Sequence, residues 1–231
     1  MALFISVPPS QGMGRPAGSA PAGTSLKDLP LIVMPSGQSE PDQPMVLLLT
    51  GDGGWKGFDI RLCTQLHEKH IPVVALNSLK YFWSRKDPEK TTRMLESLLR
   101  SYMEKWNKRQ FILIGFSFGA DVMPFVVNRM DSSLLDQCLG VSLFSPGLST
   151  DFEIHISQML SEHHQWKYSV VSEIRRMRPI RMLCVFGTEE HEFPVQVLQQ
   201  RHASVVYLEG GHHYENNHDD VASIVLEHMK G

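Results

Sequence analysis

The stretch Arg109-Gln110-Phe111-Ile112-Leu113-Ile114-Gly115-Phe116-Ser117-Phe118-Gly119-Ala120-Asp121 constrains this chain more than any other. Phe111 to Ile114 is a short apolar run of β-forming residues, the pattern of a strand covered on both faces. Gly115-Phe116-Ser117-Phe118-Gly119 follows directly and fits G-x-S-x-G. In that spacing the serine takes a strained turn conformation, and the small residues two before and two after it let the backbones approach. The turn lifts the Ser117 hydroxyl above the sheet edge. It also sets Ser117 at a helix N-terminus, where backbone N–H groups and the dipole favour negative charge. Short Gly/Ser patterns arise by chance, and a serine in a glycine turn can do no more than close a βα unit. The strand before it and the helix after it favour a nucleophile.

The rest of the chain repeats the same alternation. Leu29 to Met34 reads as an edge strand flanked by Pro30 and Pro35, and Met45 to Thr50 as a buried one. Helical periodicity follows from Phe58 to His70, then a buried strand from Ile71 to Asn77. Asp87-Pro88 caps and starts a long helix whose apolar face runs from Met94 to Trp106. The helix after the serine spans Ala120 to Met130, with Pro124 disturbing its first turns. Strands follow at Val141–Ser145, Ile180–Phe186 and Ser204–Leu208, and helices at Phe193–Arg201 and Asp219–Met229. Alternating strands and helices predict a mostly parallel central sheet with helices on both faces. The less regular segment 147–179, placed after the sixth strand, reads as a small cap insertion. In it Phe152, Ile154 and Ile156 alternate with polar residues as a short strand, and Lys167 to Arg178 looks helical.

At 231 residues the chain has room for one such domain with a full core. The division is a Gly/Pro/Ser/Ala-rich flexible tail over 1–26 and a single domain over 27–231. A net charge of -3 leaves no electrostatic footprint for nucleic acid. Cys63, Cys138 and Cys184 lie in apolar surroundings and read as reduced core residues. No cofactor motif is present: the glycine loop at residue 51 lacks the G-K-[ST] of a phosphate loop. The adjacent His163 and His164 sit on a polar stretch without a metal-binding frame. No apolar run reaches the length of a membrane span, and the first residues lack the basic region of a secretion signal. As written, the chain reads as cytoplasmic, or as periplasmic if a leader is missing.

Three features fall at strand ends in the order Ser, acid, His, the order of an α/β-hydrolase fold. Ser117 is the nucleophile of this reading. After the last strand, His212 directly follows Gly210-Gly211 and is favoured over His213 as the base. Glu190 lies three residues after Gly187 and is favoured as the acid, with Glu189 and Glu192 as rivals. The oxyanion would be held by the amides of Phe118 and of Asp52 in Gly51-Asp52-Gly53-Gly54-Trp55, with Gly53 as runner-up for the second donor. Asp121, one helical turn past the nucleophile, is a candidate partner for a cationic substrate group, although a helix-dipole role also accounts for it. Tyr81 and Trp83, in an aromatic and cationic cluster after a strand end, are candidates for lining a substrate pocket. Packing of that loop against the core is the alternative.

With these residues placed, the chain resembles the bacterial virulence protein VirJ/AcvB family from about Leu47 to the C-terminus. The resemblance rests on Gly51-Asp52-Gly53-Gly54-Trp55, Ser78-Leu79-Lys80-Tyr81-Phe82-Trp83, Gly115 to Val122, Phe152-Glu153-Ile154-His155 and Gly210-Gly211-His212-His213. It implies an α/β-hydrolase with its triad at Ser117, His212 and a Glu of the 189–192 loop. It also implies hydrolysis of the aminoacyl ester of lysyl-phosphatidylglycerol, hence peripheral contact with a membrane through a lipid substrate. A periplasmic setting and links to type IV secretion proteins come with it. The competing reading is a non-catalytic binding or scaffold protein of a secretion or virulence system on the same fold.

Overall fold

The computed structural model describes residues 26–37, 40–154, 166–214 and 219–230. In chain order the elements are β1 (Leu31–Met34), β2 (Met45–Leu49), α1 (Phe58–Glu68), β3 (Val73–Leu76), α2 (Ser78–Tyr81) and α3 (Pro88–Lys105). There follow β4 (Phe111–Phe116), α4 (Phe118–Arg129), α5 (Ser132–Leu135), β5 (Cys138–Phe144), β6 (Ser149–Thr150), β7 (Tyr168–Ser169) and α6 (Val170–Arg175). The chain continues with β8 (Met182–Gly187), α7 (Gln196–Gln200), β9 (Ser204–Leu208) and α8 (Val221–Met229).

Seven strands form one sheet in the order β1-β3-β2-β4-β5-β8-β9. Only β1 runs antiparallel, against β3; the other neighbours are parallel. Parallel strands covered on both faces need apolar residues at every position, and each residue of β2, β3 and β4 is buried. Successive side chains point to opposite faces. Leu47, Leu49 and Leu113 therefore join Leu95, Leu99 and Val126 of α3 and α4 on one side. Val46, Leu48, Ile112 and Ile114 join Leu62, Leu66 and Val225 of α1 and α8 on the other. As a consequence of the parallel order, the loops after β2, β4, β5, β8 and β9 all emerge at one edge.

Asp87 caps α3 as expected, its side chain accepting from the Lys90 N–H, with Pro88 in the first turn. α4 starts two residues before the expected Ala120 and runs through Pro124. Four expectations are corrected. The segment 147–179 follows β5, the fifth strand of the chain. Its described strands are β6 and β7, paired antiparallel with each other; at Phe152 the backbone bends at φ 55°, and Ile156 of the expected strand lies outside the described residues. Within the expected helix over Lys167 to Arg178, the structure has only α6, six residues long. Cys63 and Cys184 are buried, but Cys138 is partly exposed. The tail to residue 25 and the paired histidines 163 and 164 lie outside the described residues. Among those described, no helix is long and apolar enough to cross a membrane.

Candidate active site

The turn between β4 and α4 is the sharp one that the motif requires. Ser117 sits at φ 51°, ψ −119°, outside the regions a side chain prefers. Its N–H donates to the Phe144 carbonyl at 2.8 Å, which ties the strained residue to the end of β5. The two flanking glycines are sterically required. A Cβ on Gly119 would run into the Leu49 carbonyl, and one on Gly115 into the Gly119 carbonyl. Phe118 is the first residue of α4, so its N–H has no acceptor within the helix.

The loop after β2 lies beside this turn. The Gly51 carbonyl accepts from the Gly54 N–H at 3.0 Å and from Thr50 Oγ1 at 3.1 Å. A trans peptide is planar, so fixing that carbonyl also fixes the Asp52 N–H, on the opposite side. Asp52, Ser117 and Phe118 share the wall of a cavity of about 140 Å³. Asp59, in the first turn of α1, stands behind the loop and is 1% exposed. Burial pushes its carboxyl up to about 8 against the opposing effect of the Gly51 N–H.

From the end of β9 comes His212. Its Nε2 lies 2.8 Å from Ser117 Oγ, and its Nδ1 lies 2.8 Å from Glu190 Oε1. Of the acid candidates, Glu190 is the one that reaches the ring; Glu189 and Glu192 line the larger cavity beside it. His213 turns away, its ring edge-on to Phe116, and its carbonyl accepts from Arg61. His218 lies outside the described residues. Hydrogen bonding to Glu190 raises the pKa of His212 against the effect of burial, with further help from the charges of Glu190, Asp121 and Asp52. Burial pushes the Glu190 carboxyl up, but hydrogen bonds from His212, Ser145 and Gly187 more than reverse this, leaving it below its ordinary value.

Two residues that the sequence reading did not single out meet Glu190 from behind. Its Oε2 accepts from Ser145 Oγ at 2.6 Å and from the Gly187 N–H at 2.7 Å. Ser145 Oγ is in turn 2.5 Å from the hydroxyl of Tyr214. Both are non-glycine residues at positive φ, 49° and 52°. Their signals in the sequence are faint: Ser145 is a strand-end serine and Tyr214 follows the two histidines.

Asp121 lines both cavities, and its Oδ1 accepts from the Gly147 N–H at 2.6 Å. Its structural role is that contact, beyond any effect on the helix dipole, because it pins the start of the segment after β5. Burial pushes its carboxyl up to about 8, partly offset by Gly147 and His212. The larger cavity, about 710 Å³, runs from Ser117 past Trp166 to Phe193. Tyr81 and Trp83, expected to line a substrate pocket, line neither of these two cavities. In this turn it is Phe82 that points inward, fully buried against Phe118 and Phe152. Tyr81 packs edge-on against Phe82 under Lys86, and Trp83 is left 62% exposed.

The backbone is similar to solved α/β-hydrolase structures. Est1E from Butyrivibrio proteoclasticus superposes with a TM-score of 0.60 at 13% identity, covering 86% of this chain and 93% of that one. A proline iminopeptidase from Mycobacterium smegmatis gives 0.60 at 10% identity, with 86% and 94% covered. Naproxen esterase (carboxylesterase NP) from Bacillus subtilis gives 0.55 at 11% identity, with 87% of each chain covered. At such identities the similarity establishes the α/β-hydrolase fold. No curated protein sequence matches the chain significantly. The family model of the bacterial virulence protein VirJ matches residues 43–231, most of the chain. The chain belongs to the VirJ family.

Proposed function

We propose that the protein is a serine hydrolase that cleaves carboxylic esters through Ser117, His212 and Glu190. What carries this reading is the unbroken line from Ser117 Oγ to His212 to Glu190, with both spacings at 2.8 Å. Ser117 Oγ attacks the ester carbonyl carbon while its proton passes to His212 Nε2. The carbonyl oxygen becomes an oxyanion and is held by the amides of Phe118 and Asp52. When the tetrahedral intermediate collapses, the C–O bond to the alcohol breaks, and the alcohol leaves with the proton from His212. A water molecule gives a proton to His212 as it attacks the acyl-enzyme carbonyl; the bond to Ser117 Oγ then breaks, His212 returns that proton to Oγ, and the acid leaves. Glu190 orients the imidazole and stabilises its cationic form throughout.

The substrate in this proposal is an aminoacyl ester of a lipid, such as lysyl-phosphatidylglycerol. The family membership supports it, as do the carboxylates around the nucleophile: Asp52 and Asp121 on one side, beside Asp151 and Glu153, which pair with Arg85, and Glu189 and Glu192 on the other. A lysyl ester carries ammonium groups that such walls attract. Asp121, closest in sequence to Ser117, is the assigned partner.

The test is lysine release from vesicles containing lysyl-phosphatidylglycerol, run beside simple soluble esters, with the wild type and Ser117→Ala. Release that depends on Ser117 is expected. Cleavage of simple esters without lysine release would overturn the substrate, and cleavage of neither would overturn the enzyme.

A further inference from the structure

The proton count behind Glu190 points to a role for two residues outside the triad. Ser145 is 2% exposed and Tyr214 is fully buried, its ring packed on Phe58 and Phe116. Three close oxygen contacts join them to their surroundings: Ser145 Oγ to Glu190 Oε2, Ser145 Oγ to the Tyr214 hydroxyl at 2.5 Å, and the Tyr214 hydroxyl to the Val185 carbonyl at 3.1 Å. Only two hydroxyl protons are available. An ionised carboxylate has none to give, so Ser145 donates to Glu190. The short contact between the two hydroxyls then needs the proton of Tyr214, which leaves the longer approach to Val185 as the weaker one. The burial of Tyr214 pushes its phenol pKa up, so the proton stays on it. The hydrogen bonds thus run in one direction, from Tyr214 to Ser145 to Glu190.

We infer that Ser145 and Tyr214 are positioning residues: Tyr214 orients the Ser145 hydroxyl, and Ser145 with the Gly187 N–H clamps one oxygen of Glu190 so that the other faces His212. This rests on the proposed triad. The clamp is built from rigid parts. Ser145 is held at a positive φ by its N–H bond to the Val185 carbonyl at 2.8 Å, and Tyr214 is locked in an aromatic cluster. A half-buried carboxylate with one free oxygen would otherwise swing toward the water of the larger cavity.

The experiment is an NMR titration of the His212 ring in the wild type, Ser145→Ala, Tyr214→Phe and the double variant, with ester kcat and KM measured alongside. In Ser145→Ala the His212 pKa is expected to fall back toward the ordinary histidine value. Its kcat is expected to fall about tenfold at little-changed KM, the scale of one hydrogen bond to a charged group. Tyr214→Phe should move both in the same direction by less, and should add nothing in the Ser145→Ala background, because it acts through Ser145. Should Ser145→Ala fail to fold, Ser145→Gly removes the hydroxyl while easing the positive φ and is read the same way. Unchanged His212 pKa values in the single variants, or additive effects in the double, would overturn the inference. So would an upward shift, which would mean that the hydroxyls only drain charge from a carboxylate held without them. The titration needs no substrate, so a wild type that cleaves no ester would fail the proposed function while leaving this readout intact.

Discussion

Ser117 Oγ and His212 Nε2 stand 2.8 Å apart although 95 positions separate the residues in the chain. What brings them together is the parallel sheet. β4 delivers Ser117 and β9 delivers His212 to the same edge, with β5 and β8 between them.

The pH dependence follows from His212. It must be neutral to accept the Ser117 proton, and its pKa is raised, chiefly by the hydrogen bond to Glu190. For wild-type ester hydrolysis, kcat/KM is therefore expected to rise with pH through a midpoint above the ordinary histidine value of about 6.5. A pH–rate profile checks it; a midpoint at or below that value would separate His212 from the rate.

Asp121 should distinguish cationic from neutral substrates. Asp121→Asn is expected to weaken turnover of a lysyl ester by about tenfold or more, and of a matched neutral ester far less. With its carboxyl pushed up to about 8 by burial, the group is neutral below that pH and ionised above it. The wild-type KM for the lysyl ester should therefore fall as pH rises through about 8, while the lysyl ε-ammonium stays charged, and Asp121→Asn should lose that trend. Parallel kinetics on the two esters measure both effects; equal losses on both would remove Asp121 from substrate binding.

Gly119→Ala should break the elbow. The new methyl would meet a backbone carbonyl, that of Leu49 in the central strand β2, and a backbone cannot step aside as a side chain can. A loss of at least ~2–3 kcal/mol in denaturant unfolding is expected. Ser117→Gly is expected to do the opposite, raising stability by about 1 kcal/mol as it relieves the positive φ.

Asp59 should make stability fall with pH. Its folded carboxyl is pushed up to about 8 by burial, and its Oδ1 has no hydrogen-bond partner among the described residues. Between the unfolded value near 3.8 and about 8, the native state holds a proton that the unfolded chain has lost, so this group's contribution to stability declines as pH rises. Asp59→Asn removes the ionisation. The Tm of the variant relative to wild type is expected to increase from about pH 4 to about pH 8 and to level off above that; a difference independent of pH would contradict it.

The sheet was legible because its strands are covered on both faces and therefore read as apolar runs: Met45–Leu49 and Phe111–Phe116 could hardly be anything else. Ser117 and the position of His212 were legible because tight backbone turns demand glycine, and glycine leaves a pattern. Spacing favours Glu190 but leaves Glu189 and Glu192 as rivals, since the choice depends on which carboxylate the turn after β8 aims at His212. Ser145 and Tyr214 carried almost no signal, because their roles exist only once β5, β8 and β9 lie side by side. The aromatic loop is hard to read for a related reason: Tyr81, Phe82 and Trp83 are adjacent in sequence, but Phe82 is fully buried, Tyr81 packs against the core only in part, and Trp83 is exposed.

The most direct measurement on the central reading is labelling with a fluorophosphonate probe, with the modified peptide mapped by mass spectrometry and Ser117→Ala as the control. The line from Ser117 through His212 to Glu190 predicts covalent modification at Ser117, absent in the variant. Folded wild-type protein that stays unlabelled, or labels at another residue, would contradict an activated nucleophile at this turn.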